Sequence, residues 1–399
     1  MAATLLTLMA LPAGVANRET VQKAVARALD DASSRSSLLL ESANSGHDGR
    51  CSVSSNDGSF RLNIGGQLQT RWLAAWRHDD GAVDPFTSGF QIRRMKLTFD
   101  GHIFDESLRF KVTNESRRTD GGMRMSDVFI EKRFESGLSI RAGQFKAPFT
   151  REYFDSSRRL LAVERSLVDS VFRLGRLQGA QLGITGDDWR GWVAFTDGFR
   201  SENIDFGSDA TDWALTGRAE WLPFGSFNVF HSQRGKIDAE PSLRLGGAVH
   251  AEERGASVFG PSGRLVSWTG DVAAAGPGWI GLATFVGREN SQATGATLTD
   301  WGVTAQLGVW ATDQLLPFVR WELLIPDRDR AARSKTNVLT AGVNWYWRGD
   351  ALKLTVDGVW LIDGGGSSAL VGPNTGAGIL PPGSGDQAVA LRVQAQLLF

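Results

Sequence analysis

The sequence predicts an all-β fold: a 16-stranded antiparallel transmembrane β-barrel over residues 60–399, with an inward-folded third loop and a short N-terminal helix ahead of it. Three observations predict it. From Phe60 onwards apolar residues recur with period two, as in a strand whose two faces meet different surroundings. The connectors alternate between short and long, as inner turns and outer loops do in an outer-membrane barrel. Tryptophans gather towards segment ends (Trp72, Trp76, Trp221, Trp310, Trp345, Trp347, Trp360), where the aromatic girdles of such a barrel lie.

The chain opens on MAATLLTLMALPAGVA, an apolar run closing on the small residues Gly14 and Ala16. Residues 1–16 read as a secretory signal peptide, although the usual basic start is missing. Residues 17–45 read as a helical segment, with Val21, Val25, Ala26 and Leu29 at helical spacing. Residues 46–59, rich in Gly and Ser, read as a polar linker to the barrel domain at 60–399.

Composition narrows the function classes. Lys and Arg total 43 against 44 Asp and Glu, so the chain carries no basic footprint and no nucleic-acid partner is expected. Outside the N-terminus no run of about 20 apolar residues exists, which excludes helical membrane spans. The lone Cys51 has no partner for an internal disulfide. Arginine (35) far outnumbers lysine (8).

The strands follow in order. In FRLNIGGQLQTRWLAAW, Phe60, Leu62, Ile64, Leu68, Trp72 and Trp76 oppose Arg61, Asn63, Gln67, Gln69 and Arg71. In the next segment Met95, Leu97, Phe99 and Ile103 oppose Arg94, Lys96, Thr98, Asp100 and His102. Trp301 to Val309, Leu339 to Trp347 and Leu352 to Trp360 alternate in the same way. Short turns fall near 104–107, 135–137, 187–189, 276–278 and 348–350. Long polar loops fall near 77–88, 116–124, 146–178, 199–210, 288–297, 325–335 and 362–385. The segments number 16 if SFNVFHSQ (226–233) is not a strand, so 222–242 is expected to be one long turn. Even counts keep both ends of the chain on one side of the membrane. A closed sheet also pairs every backbone group without water. The last segment, LRVQAQLLF, points Leu391, Val393, Ala395, Leu397 and Phe399 outwards, with Phe399 at the periplasmic interface.

The longest loop within the barrel, 146–178, follows the fifth strand and is by parity the third outer loop. It carries Lys146, Arg151, Arg158, Arg159, Arg165, Arg173 and Arg176 against Glu152, Asp155, Glu164 and Asp169. Leu160, Leu161, Val163 and Leu167 give it apolar residues to lay against a wall. Folded into a lumen, such a loop narrows the pore and sets guanidinium groups in the solute path, where they pair with phosphate or carboxylate oxygens. The same parity lines the wall with Arg94, Lys96, Arg109, Lys111 and Arg141 early on, and with Arg320, Lys353 and Arg392 later. Asp100, Glu131, Glu220, Asp271, Asp300, Glu322 and Asp357 share that inward set, so a mixed lumen with modest anion preference is expected. Each lumen arginine has a second reading, as a salt bridge that braces the wall.

GQFKAPFTRE (143–152) followed by SSRRLLAVERSLV (156–168) resembles the fifth-strand end and constriction loop of the phosphate-selective porin O and P family. The supporting context runs from Phe60 to Phe399, including DVFIEKRFESGLSIRAGQFKAPF and AGVNWYW. The resemblance implies a 16-stranded porin of the bacterial outer membrane, a homotrimer, passing small anions, phosphate among them, past the loop cations. An N-terminal helical segment in related sequences supports trimer assembly. Outer-membrane lipid would surround the barrel. The terminal alternation ending in Phe399 resembles the signal read by the outer-membrane assembly machinery. Phosphate-selecting members carry a lysine-rich entrance, and lysine is scarce here.

Other classes find little support. No Gly-x-Ser-x-Gly elbow, His-Glu-x-x-His or metal-spaced Cys/His cluster occurs, so neither an enzyme nor a cofactor or metal is expected. A plugged structural barrel conflicts with the strand count, because 16 strands leave an aqueous channel. A general or small-sugar porin with little ion selectivity is the alternative within the channel class. Tyrosine occurs only at 153 and 346, too few for an aromatic sugar slide.

Overall fold

The computed structural model describes residue 23 and residues 43–47, 51–77, 86–206, 211–255, 262–292, 295–330, 334–363, 370 and 387–399. Two short strands come first, β1 (Ala43–His47) and β2 (Cys51–Ser55). The barrel begins with β3 (Phe60–Arg77), β4 (Phe86–Ile103), β5 (Asp105–Ser116), β6 (Met123–Arg133) and β7 (Leu138–Lys146). It continues through β8 (Arg176–Thr185), β9 (Trp189–Thr196), β10 (Thr211–Phe224), β11 (Ser242–Arg254), β12 (Gly263–Gly276) and β13 (Trp279–Gln292). It ends with β14 (Leu298–Val309), β15 (Leu315–Ile325), β16 (Thr336–Arg348), β17 (Leu352–Asp363) and β18 (Ala388–Leu398). Each strand from β3 pairs antiparallel with the next, and β18 returns to β3, closing a 16-stranded barrel as expected.

The closure runs from Ala388 opposite Arg77 to Leu398 opposite Gln67, and two backbone bonds between Phe399 and Gly66 (2.6 and 3.2 Å) finish it. The Phe399 ring lies over Gly66 and occupies the space where any β-carbon would project. Below that point Arg61–Ile64 would be an open edge, and β2 covers it, pairing Cys51 with Ile64 and Ser54 with Arg61. β1 pairs with β2 in turn. The stretch read as the end of a helical segment and a polar linker thus contains a hairpin. Covering an edge needs only backbone groups, so its polar residues carry no strand periodicity. Apart from residue 23, which is helical, the leader and helical segment expected over residues 1–42 lie outside the described residues.

Alternation sorts the side chains. Phe90, Ile92, Ile130, Phe195 and Val249 stand exposed on the outer face, where hydrocarbon replaces water. Trp76, Phe86, Trp213 and Trp360 mark the end that carries the loops, and Trp189, Trp221, Trp279, Trp345 and Trp347 the end that carries the turns. Trp310 departs from the girdle expected for it. It sits in the turn after β14, packs on Tyr346 at 5.3 Å and donates from Nε1 to the Arg234 carbonyl at 3.0 Å. A tryptophan at a strand end has either face of the sheet open to it, and sequence position alone does not choose.

Residues 225–241 form the expected long turn, and SFNVFHSQ is no strand: Phe227–His231 is a short 3-10 helix. The turn rises into the barrel, where Phe227, Val229 and Phe230 are buried among Leu222, Ala275, Ile280, Leu282, Leu316 and Phe318. From the opposite end the third outer loop descends. It contains two α-helical segments, α1 (Arg151–Phe154) and α2 (Leu167–Phe172), with a 3-10 turn at Ser157–Arg159 between them. Its Leu161 joins the turn's apolar cluster, and its Phe149, Leu167, Val168 and Phe172 pack over inward-facing Val286, Leu324, Val338 and Leu361. Burying such side chains contributes roughly 1.5–3 kcal/mol each. Much of the inside of β12–β18 is therefore a packed core, and the open channel follows mainly the wall of β3–β8, reaching β9 and β11–β14 at a few residues.

Candidate functional site

The loop's polar groups are bolted to the wall as closely as its apolar ones. Gln396 Nε2 donates to the Arg158 carbonyl (2.9 Å), Lys353 Nζ to Leu160 (2.7 Å) and Asn344 Nδ2 to Leu161 (2.8 Å). The Val163 amide donates to Asp357 at 2.9 Å, and the Leu167 amide to Glu322 at 2.5 Å. Glu164 is held by Arg71 (2.7 Å), Arg94 (2.8 Å) and Arg93. Burial opposes its charge, but Arg93, Arg94 and Arg71 outweigh that and hold the carboxyl well below its ordinary range. Glu152 shifts the other way, raised by burial and by Asp169 nearby. From below, the Gln233 amide of the inner turn donates to the Arg159 carbonyl (3.1 Å), and the Leu161 amide to Gln233 Oε1 (3.2 Å). Loop and turn meet inside the barrel.

What remains open is a cavity of about 1600 Å³, lined, among the described residues, by 22 arginines and lysines against 8 aspartates and glutamates. All seven loop cations expected to meet solute line it. Four of them gather on one ring or its hydroxyl. Tyr153 lies 5.5 Å from Lys146 Nζ, 5.2 Å from the Arg165 guanidinium and 5.1 Å from that of Arg173, and its hydroxyl accepts from Arg176 at 3.3 Å. Arg165 also donates to the carbonyls of Glu152 (3.0 Å) and Asp155 (2.8 Å), and Lys146 to that of Asp155 (2.6 Å). Arg151 pairs with Asp155 (2.6 Å) and Glu220 (3.1 Å), and Arg176 with Asp127 (2.8 Å). Arg158 and Arg159 line the lower part of the cavity with His231, whose pKa is lowered by burial and by Arg159 and Arg158.

Five of the six wall cations also line it. Arg94 bonds Gln69 (2.8 Å), Lys96 pairs with Glu115 (3.0 Å), and Lys111 with Asp127 (2.8 Å). Arg109 donates to the Glu106 carbonyl (3.0 Å), and Arg141 pairs with Glu131 over the Phe129 ring. Arg320 is a correction. It faces inwards as expected but is only 3% exposed, covered by the loop, where it bonds the Glu164 carbonyl and Glu322, both at 2.8 Å. The same holds for Lys353 under Leu160, and Arg392 pairs with Asp357 there.

The mixed lumen resolves into two populations. Glu220 and Asp271 are taken by Arg218, Glu322 by Arg320, Asp357 by Arg392, and Asp300 by Arg330. Among these, Glu322 and Asp357 also accept loop amides. Glu220, Asp271, Glu322 and Asp357 are thus taken up in and under the packed loop, whereas Asp100, Glu131 and Asp300 remain in the lining of the open channel, outnumbered there by cations. Sequence parity missed Arg93. A bulge sets Gln69 opposite Arg94 but Thr70 opposite Ile92, so Arg93 is the extra residue and both arginines turn inwards. The adjacent Arg93–Arg94 pair interrupting the alternation was the signal. Arg190, Arg200, Arg244 and Arg288 in the cavity lining were likewise not singled out.

Residues 61–236 match the model of a family described as phosphate-selective porin O and P. No curated protein matches the chain in sequence. Among solved structures, an anion-selective porin from Comamonas acidovorans has TM-score 0.61 at 10% identity, over 85% of this chain and 99% of that one. Salmonella typhi OmpF, in complex with daunomycin, has TM-score 0.57 at 12% identity, over 86% and 99%. OmpT of Vibrio cholerae has TM-score 0.55 at 9% identity, over 86% and 98%. These likenesses are of fold.

Proposed function

We infer that this chain, a closed 16-stranded barrel whose residues 61–236 match the phosphate-selective porin O and P family, is a bacterial outer-membrane porin that passes small anions by diffusion. The observation that carries the anion reading is the channel lining, 22 cations to 8 carboxylates among the described residues, in a chain with net charge −1. Low-dielectric walls of one sign of charge concentrate counter-ions, and rings of Arg and Lys select anions. The solutes include phosphate, contacted by the seven loop cations. The constriction loop supplies the narrowest part of the path because the wall fixes its backbone. A homotrimer is part of the proposal, supported by the trimer form described for the V. cholerae OmpT neighbour. So are a signal peptide over residues 1–16 and recognition of Phe399 by the assembly machinery.

The test is single-channel recording in planar bilayers under a KCl gradient. The reversal potential is expected near that of chloride, and phosphate is expected to block the chloride current. Arg158→Ala/Arg159→Ala should weaken that block about tenfold, equivalent to about 1.4 kcal/mol, close to the lower end of the range for one charge-assisted hydrogen bond. An ohmic channel without ion preference would instead favour the general or small-sugar porin.

A further inference from the structure

Phosphate and chloride have no use for apolar surface, yet the outer part of the cavity contains some. Phe199, in the loop after β9, lines the cavity half-buried and packs with Val171 of α2 against one apolar cluster, and Leu265 of β12 lines the same cavity. Its ring is flanked by two guanidinium groups, Arg200 at 4.7 Å and Arg288 at 4.9 Å. Arg173 adds a third charge, close enough to lower the Arg200 pKa after the larger effect of burial. Among the described residues none of the three arginines meets a carboxylate within ion-pair distance. They contrast with Arg71, Arg94 and Arg320, which the wall and loop satisfy.

Their placement is fixed. Arg288 donates Nη1 to the Val171 carbonyl (3.0 Å) and Nη2 to the Phe172 carbonyl (2.5 Å), which leaves its buried Nε without a partner. Arg200 has φ +61°, a left-handed backbone uncommon outside glycine, and its amide is tied to the Leu174 carbonyl at 3.0 Å. The Phe199 amide is tied to Glu252 at 2.6 Å. A ring and its two stacked cations are therefore carried by backbone that is itself anchored, as in a preformed pocket with an apolar floor and a few placed polar groups.

We propose that this outer pocket binds organic carboxylates with a planar apolar body, aryl carboxylates, ahead of the constriction. The body lies against Phe199 and Val171, and the carboxylate takes the guanidinium edges of Arg200 and Arg173, while Arg288, spent on the Val171 and Phe172 carbonyls, contributes its charge. The proposal rests on the reading of the chain as an anion porin and names a solute class for it. Inorganic anions then pass the same cations without using the floor.

Benzoate and acetate carry the same carboxylate and differ in the ring, so their block of the chloride current, added from the loop side, isolates the floor. Benzoate is expected to block at a concentration about tenfold lower than acetate. Phe199→Ala should bring that ratio close to one, and Phe199→Tyr should restore it. Arg200→Gln should weaken both anions. Equal block by benzoate and acetate in the unaltered protein overturns the proposal, and so does a ratio that survives Phe199→Ala. A reversal potential on the cation side would sink the anion-porin reading itself, whereas anion selectivity with equal block sinks this inference alone.

Discussion

Glu164→Ala is expected to release the third outer loop from the wall and give a larger, noisier single-channel current than the unaltered protein. The carboxylate holds Arg71, Arg93 and Arg94, and all three pairs are mostly shielded from water. Removing one partner from a buried ion pair costs about 3–5 kcal/mol, because the charges left behind stay desolvated. The barrel should survive, since its backbone ladder does not involve the loop. The loop's attachment should not. Arg93 and Arg94 line the cavity, and without Glu164 they are free to take up mobile anions. Stronger phosphate block should therefore accompany the larger current. Glu164→Gln keeps the shape but not the charge, and should fall between. A current of unchanged size and quietness in Glu164→Ala would mean that the backbone bonds from Lys353, Asn344 and Gln396 hold the loop by themselves.

The second large effect is expected at Gly302→Leu. Gly302 faces inwards on β14, and a β-carbon there would lie 2.8 Å from Phe172 Cε2 and 2.8 Å from Val168 Cγ1 of the loop. Six residues on, Gly308 receives Leu161 in the same way, at 3.2 Å. Two glycines on one strand thus make the seat on which the loop's apolar side rests. Filling the first should cost about 1–3 kcal/mol of overpacking and push α2 towards the channel. The measurement is again conductance, expected to fall, with heat-induced unfolding on gels as a check on the barrel. Gly358→Ala on β17, where a β-carbon meets nothing within 4 Å, should change neither. Equal conductance in Gly302→Leu would show that the loop relaxes away from the pore.

The sequence and the structure agree where one rule suffices. Alternation decides which face a residue takes, and it gave the strands, their number, the long turn at 222–242 and the inward set from Arg94 to Arg392. It does not decide what an inward residue will meet. Arg109 and Arg320 have the same parity, but one lines the channel and the other lies under the loop. That difference depends on where the loop packs, and hence on Gly302, Gly308 and an apolar inner wall of Val286, Leu316, Phe318 and Leu324, which no periodicity separates from polar lumen. Arg93 was hidden by a bulge, which shifts parity by one residue. Tyr153, the ring around which the loop cations assemble, was noted only as too scarce a residue to guide sugars. Cation–π grouping depends on spacing across a folded loop, so the string of residues does not display it.

The crowding of cations along the channel also determines how the molecule looks from outside. An excess of 14 positive charges among the described lining residues, in a chain of net charge −1, leaves −15 for the rest of the chain. Folding thus gathers the positive charge of a nearly neutral chain around its channel and leaves the remainder of the chain acidic. Its sequence pI of about 6.6 describes neither. A refolded, detergent-solubilised barrel should be retained by an anion exchanger to higher salt than the same chain in urea at the same pH. Elution at the same salt would mean that the channel's charge is visible from outside.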